Sequence, residues 1–199
     1  MRCTILFCLV AVASLFSTGC VDSRTIHYYT ITTPIAPVTP GAASGVVLLV
    51  GNISVPPELQ DGRIRYRIGP NEEGAYQFHR WTERPGMMVC ESLVQTLRAS
   101  GKYRSVLESS SSAAGDYLLR GKLYEFNEVD RDTIQTSISL QVDLLDVKSK
   151  RIVWDDLVRR DEPVSSKSVQ DVVASLDRNL RAVVKETAGA IDAFLAANH

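Results

Sequence analysis

Histidine is scarce in this chain, with three residues among 199, and cysteine is nearly so, with four. No paired-histidine metal motif can be drawn from them, and there is no Gly-rich phosphate loop or G-x-S-x-G elbow. Charge of one sign is also missing. Basic residues number 22 and acidic residues 23, a net of −1, so nothing marks the chain for nucleic acid. No repeat of 20–50 residues points to a solenoid or propeller. Of the histidines, His199 is terminal, His27 lies in an aromatic stretch, and His79 sits in Phe78-His79-Arg80-Trp81. A catalytic histidine needs a nucleophile or acid within hydrogen-bond reach. No sequence neighbour of His79 offers one, so a structural or interface role is expected and no enzyme activity. The acidic group Asp155, Asp156, Asp161 and Glu162 lacks the glycine and spaced carboxylates of a calcium loop. Neither metal nor cofactor is expected.

What is present begins at the amino terminus. Arg2 is followed by an apolar run from Ile5 to Phe16, then Ser17, Thr18, Gly19 and Cys20. Charge, apolar core and small residues in that order read as an export signal. The run is far short of the ~20 residues that cross a bilayer. Ser17-Thr18-Gly19-Cys20 resembles the lipobox of bacterial lipoproteins, with Ser where that family prefers Leu. The resemblance implies cleavage before Cys20 and lipid, palmitate included, on its thiol and new amine. Ordinary cleavage after Gly19 or after Ala13 is the alternative. Val21, where an inner-membrane retention signal would carry Asp, points to the outer membrane. Cys3 and Cys8 leave with the signal, so Cys90 is expected to remain as a buried, inert thiol. A Cys20–Cys90 bridge opens only if Cys20 is not lipidated.

The expected organisation is a signal peptide over 1–19, then a lipidated tether, short strand and Pro/Ala/Gly-rich segment over 20–45. A single α+β domain follows over 46–199. An apolar content of 45% with 23% charge suits one buried core. Alternating, continuously apolar or β-branched and aromatic stretches predict strands at 26–31, 46–55, 63–68, 75–79, 104–107, 116–129, 133–147 and 152–160. The phase change between Leu123 and Phe126 predicts a bulge or a strand buried on both sides. Pro85 opens a helix that Gly101 stops, with Cys90, Leu93, Val94 and Leu97 on its apolar face. A second helix opens at Ser168-x-x-Asp171 and carries one stripe from Val169 to Leu195. The fold predicted is a mostly antiparallel sheet covered on one face by two helices.

Arg63, Arg65 and Arg67 share one face of their strand, with Ile64, Tyr66 and Ile68 on the other. Three like charges in a row must be wet or matched by acids. With Arg80 and Arg84 nearby, they suggest a strip for an acidic partner or anionic lipid. Replacing all three by Ser is expected to leave the fold intact.

Tyr28-Tyr29-Thr30, Val50-Gly51 to Pro56, Arg63-Ile64-Arg65-Tyr66 and Phe78-His79-Arg80-Trp81-Thr82 occur in an order that resembles the ABC-type transport auxiliary lipoproteins. These are the PqiC-like family attached to MCE lipid-transport systems. The resemblance implies a fold similar to the TolB amino-terminal domain and no catalytic residues. It also implies an outer-membrane lipoprotein facing the periplasm, whose partner is an MCE-domain protein of an ABC transporter. The candidate contacts are Arg63, Arg65, Arg67, His79, Arg80 and Trp81. Phospholipid and a second copy of the chain are further candidate partners. A lipid carrier or a periplasmic hydrolase are the rival readings.

Overall fold

Strict alternation builds the centre of the molecule. The computed structural model describes residues 25–32, 44–110 and 114–198. The signal, Cys20 and most of the Pro/Ala/Gly-rich segment lie outside them. Strand β7 (Ile134–Asp146) turns Ile138, Leu140, Val142 and Leu144 to one face, all wholly buried. β6 (Tyr117–Asp130) and β8 (Arg151–Pro163) flank it in antiparallel ladders along nearly its whole length. The register of β6 slips between Leu123 and Glu125. This is the expected bulge, and it returns Phe126 to the core face opposite Ile138.

The other edge of β6 is divided. β2 (Ser44–Ser54) runs parallel to its first half, from Tyr117 to Lys122. β3 (Arg63–Ile68) runs parallel to its last four residues, Asn127–Asp130. Between them Pro56-Pro57, a short 3-10 turn at Pro57–Leu59, and Gly62 at φ +72° redirect the chain. β5 (Tyr103–Glu108) extends one side beyond β2. β4 (Glu72–Trp81) and then β1 (His27–Tyr29) extend the other side beyond β3. The eight-stranded sheet is mostly antiparallel by paired length, as predicted. Its shorter parallel ladders β1–β4, β2–β5, β2–β6 and β3–β6 depend on long-range docking that periodicity does not disclose.

Both helices cover one face. α1 (Pro85–Ala99) has Pro85 in its first turn and ends before Gly101 at φ +65°. It buries Val89, Leu93, Val94 and Leu97 against β2 and β5. A Cβ on Gly86 would lie 2.6 Å from the Ile53 carbonyl oxygen, so only glycine lets the first turn approach β2. α2 (Val169–Asn198) opens with the Asp171 amide donating to Ser168 Oγ at 3.1 Å. Val172, Leu176, Leu180, Val183, Val184, Ile191 and Leu195 form its buried stripe, and Gly189 does not end it.

Polar residues at helical spacing join that stripe, a feature the apolar pattern did not reveal. Ser175 and Asn179 are wholly buried. Ser175 Oγ lies 2.9 Å from Thr136 Oγ1 and donates to the Glu162 and Pro163 carbonyls. Asn179 Nδ2 donates to the carbonyls of Thr136 at 3.1 Å and Arg160 at 3.0 Å. These bonds fix the register of α2 against β7 and β8. Asn179→Ala removes both backbone contacts and is expected to cost about 1–3 kcal/mol, read as a lower urea midpoint at unchanged slope.

Candidate functional site

Strands β3, β4 and β1 form a wing at one end of the sheet, and its two faces differ in chemistry. On the helix-free face the three arginines of β3 line up as alternation requires, but they are not equivalent. Arg63 pairs with Asp61, its Nε donating to Oδ2 at 2.7 Å. Arg65 and Arg67 are largely buried, with side chains 17% and 20% exposed. Arg67 donates to Glu73 at 3.0 Å through Nε and to Glu125 at 2.8 Å through Nη1. Arg65 reaches Glu73 at 4.0 Å, and Arg159 of β8 reaches Glu125 at 3.3 Å. Ser137 Oγ adds a bond to Glu125 at 3.1 Å. The middle of the face is thus an ion network of three arginines on two glutamates.

Glu125 shows the balance of forces. Burial raises its carboxyl, but hydrogen bonds from Arg67 and Ser137 and the charges of Arg159 and Arg67 hold it below the usual glutamate range.

Toward β1 the face changes. Arg80 stands in register with Arg63 on one side and Tyr28 on the other. Its Nε is buried without a hydrogen-bond partner. Tyr28 is 63% exposed.

The opposite face of the wing holds His79. β4 carries a bulge between Ala75 and Arg80, which is why alternation there fails in the sequence. His79 Nδ1 lies 2.8 Å from the Tyr29 hydroxyl, and its ring stacks on His27 at 5.2 Å. Tyr76 meets His79 edge-on at 5.8 Å and Tyr66 at 5.2 Å. Tyr76 donates to the buried Glu128 at 2.6 Å. Burial raises Glu128 above the usual range against that bond, and the charge of Asp130 adds to the rise. Burial lowers His79, and His27 lowers it further. The hydrogen-bond partner of His79 is the Tyr29 hydroxyl. Trp81 lies inside the core, 4% exposed, with its ring 5.4 Å from Phe126.

A groove of about 730 Å³ opens between α1 and the last part of β2. Ile53, Val55, Met87, Cys90 and Val94 form its apolar part, and Glu83, Arg84, Glu91, Arg98 and Glu108 are among its charged lining. Cys90 is therefore half-buried, not sealed in the core, with its thiol 3.5 Å from the Gly51 carbonyl. Burial, then Glu108 and Glu91, push the thiol up, away from the thiolate form. Among the described residues no cluster of three or more His, Cys, Asp or Glu could hold a metal. No helix among them is long and apolar enough to cross a membrane.

Of the six residues singled out in the sequence, the structure gathers Arg63, Arg65, Arg67 and Arg80 on one face. It puts His79 on the other face and Trp81 in the core. Tyr29, Tyr66, Tyr76, Glu125 and Glu128 were not singled out. Only the aromatic richness of 28–29 and 66 hinted at them.

The ion network corrects the expectation that the three arginines are dispensable to the fold. Arg67→Ser leaves Glu125 with only Arg159 and Ser137, and about 1–3 kcal/mol of stability is expected to go, measured by urea unfolding. Glu125 is depressed in the folded state. Its contribution is full above the unfolded glutamate range and is lost as pH falls through the folded value. Glu125→Gln should therefore flatten the acid limb of the stability–pH curve. An unchanged limb contradicts the assignment.

Comparison with known proteins places the chain. No curated protein matches it. A crystal structure of a Xanthomonas campestris protein superposes with a TM-score of 0.75 at 24% identity, covering 87% of this chain and 99% of that one. A second crystal structure, of an uncharacterised protein, gives 0.67 at 16% identity, covering 84% and 99%. At those identities the likeness establishes the fold alone. The model of the ABC-type transport auxiliary lipoprotein component matches residues 29–188, from β1 well into α2. The chain belongs to the ABC-type transport auxiliary lipoprotein family.

Proposed function

We propose that this protein is a non-enzymatic adaptor of an ABC-type MCE lipid-transport system. Lipid on Cys20 holds it to the outer membrane, facing the periplasm. The folded domain docks on the MCE-domain protein that passes phospholipid or another hydrophobic molecule between the membranes. The family match over residues 29–188 carries this reading.

The partner contact is assigned to the His79 face of the wing. Half-exposed tyrosines and histidines on a rigid sheet suit an interface anchor, since aromatic residues dominate binding hot spots. His27, Tyr29, Tyr66, Tyr76 and His79 supply that surface. Arg65 and Arg67 serve it indirectly by holding Glu73 and Glu125, and Trp81 supports β4 from the core. A double His27→Ala, His79→Ala variant should keep its melting temperature within a few degrees and lose about tenfold in affinity for the MCE partner in pull-down titration. Undiminished capture by a folded variant contradicts the assignment.

The α1–β2 groove favours a second reading, in which the domain itself carries lipid. Its volume lies in the ~300–1,000 Å³ range of ligand sites. Phospholipid would then co-purify with the wild-type protein and be displaced by Cys90→Trp, as read by mass spectrometry of the extract. A lipid-free wild-type protein removes this reading.

A further inference from the structure

Arg63 and Arg80 face each other across β3 and β4, with Tyr28 completing the row on β1. Like charges directly opposite in a sheet destabilise it unless something neutralises them. Asp61 answers Arg63, with Oδ2 2.5 Å from Nη2. Among the described residues no ion pair answers Arg80, and its Nε is buried without a hydrogen-bond partner. A buried donor left open in this way points to an absent acceptor. The Arg80 guanidinium beside a phenol forms a site for phosphate, because the guanidinium fork matches phosphate oxygens bidentately and the hydroxyl adds a donor; Arg63, held by Asp61, adds its charge next to it.

The length of the tether says which phosphate. Seven peptide steps separate Cys20 from His27 at the start of β1. Fully extended they span about 25 Å. An acylated Cys20 therefore keeps β1, the outermost strand of the wing, close to headgroups. The same edge exposes Ile26 at 41% and Tyr28 at 63%. An aliphatic side chain beside an amphipathic ring suits the boundary between headgroups and acyl chains. The arginines in the middle of this face lie away from the edge and are already paired: Arg65 and Arg67 with Glu73 and Glu125, and Arg159 with Glu125.

We infer that the row Tyr28–Arg80–Arg63 binds the phosphate of anionic phospholipid headgroups in the bilayer that holds the anchor. The helix-free side of the wing then lies against the membrane while the His79 side faces the transporter. This inference rests on the lipid-anchor reading above.

The test uses the full mature protein, isolated with its native amino terminus and placed on vesicles. One set contains phosphatidylglycerol in phosphatidylethanolamine, and the other is phosphatidylcholine alone. Flotation reports the anchor, and amide hydrogen exchange reports the orientation. The expected result is flotation with both sets. Exchange at Ile26–Tyr29 and Arg80 should be about fivefold slower on phosphatidylglycerol, the effect of one arginine at an anionic surface. Exchange around Leu157 on the far edge should be the same on both. The double variant Arg63→Ser, Arg80→Ser should abolish the difference. Tyr28→Ser, which touches only an exposed side chain, should reduce it even if the double variant folds poorly. Flotation with equal exchange on both vesicles overturns this inference alone. Protection that appears only when the MCE partner is added overturns it in favour of a protein contact. Failure to float overturns the anchor reading and this inference with it.

Discussion

One strand edge bears two neighbours. β6 offers β2 its first half and β3 its last four residues, while β7 takes the whole of its other side. That sharing works only because the chain breaks cleanly between Ser54 and Arg63. Two prolines forbid a continuous strand there, and a left-handed glycine turns it back into line. It also needs the bulge at Leu123/Glu125, which keeps Phe126 in the core after the phase slips. The consequence is a sheet with two separate ends. One end is braced by α1 on β2 and β5. The other, the β3–β4–β1 wing, projects a charged face and an aromatic face.

Electrostatics then divides the charged face. In its middle, arginines and glutamates from strands distant in sequence neutralise one another at partly buried positions. Breaking such a pair leaves one partner uncompensated, so these arginines belong to the fold before they belong to any interface. At the outer end the balance fails, and Arg80 has no answering acid among the described residues. The aromatic face is different in kind. Its polar tips are mostly tied to one another or to Glu128, and its rings remain half open.

Much of this was legible in the sequence. Period-2 alternation gave β7 and β3 their faces, because one side of each is buried and a one-residue slip would expose the core. Pro85, Gly101 and Ser168 marked helix ends through local chemistry alone. Partners were less legible. Glu73 lies six residues from Arg67 across a hairpin and could be guessed. Glu125 lies 58 residues away on a parallel neighbour and could not. The same holds for His27 on His79, which meet across a parallel edge ladder. The apolar helical phase of Cys90 points to a buried thiol, yet the residue is half-buried. Phase reports which side of the helix a residue takes, not whether the neighbouring strand stops short and leaves a groove.

The functional account turns on whether the wing is held at a bilayer by its own amino end. The most direct measurement is the intact mass of the mature protein with sequencing of its first peptide. The account predicts a chain that begins at Cys20 and carries acyl groups on both the thiol and the amine. A chain beginning at an unmodified Cys20, or at Ser14 after cleavage behind Ala13, and recovered in the soluble periplasmic fraction, would contradict it.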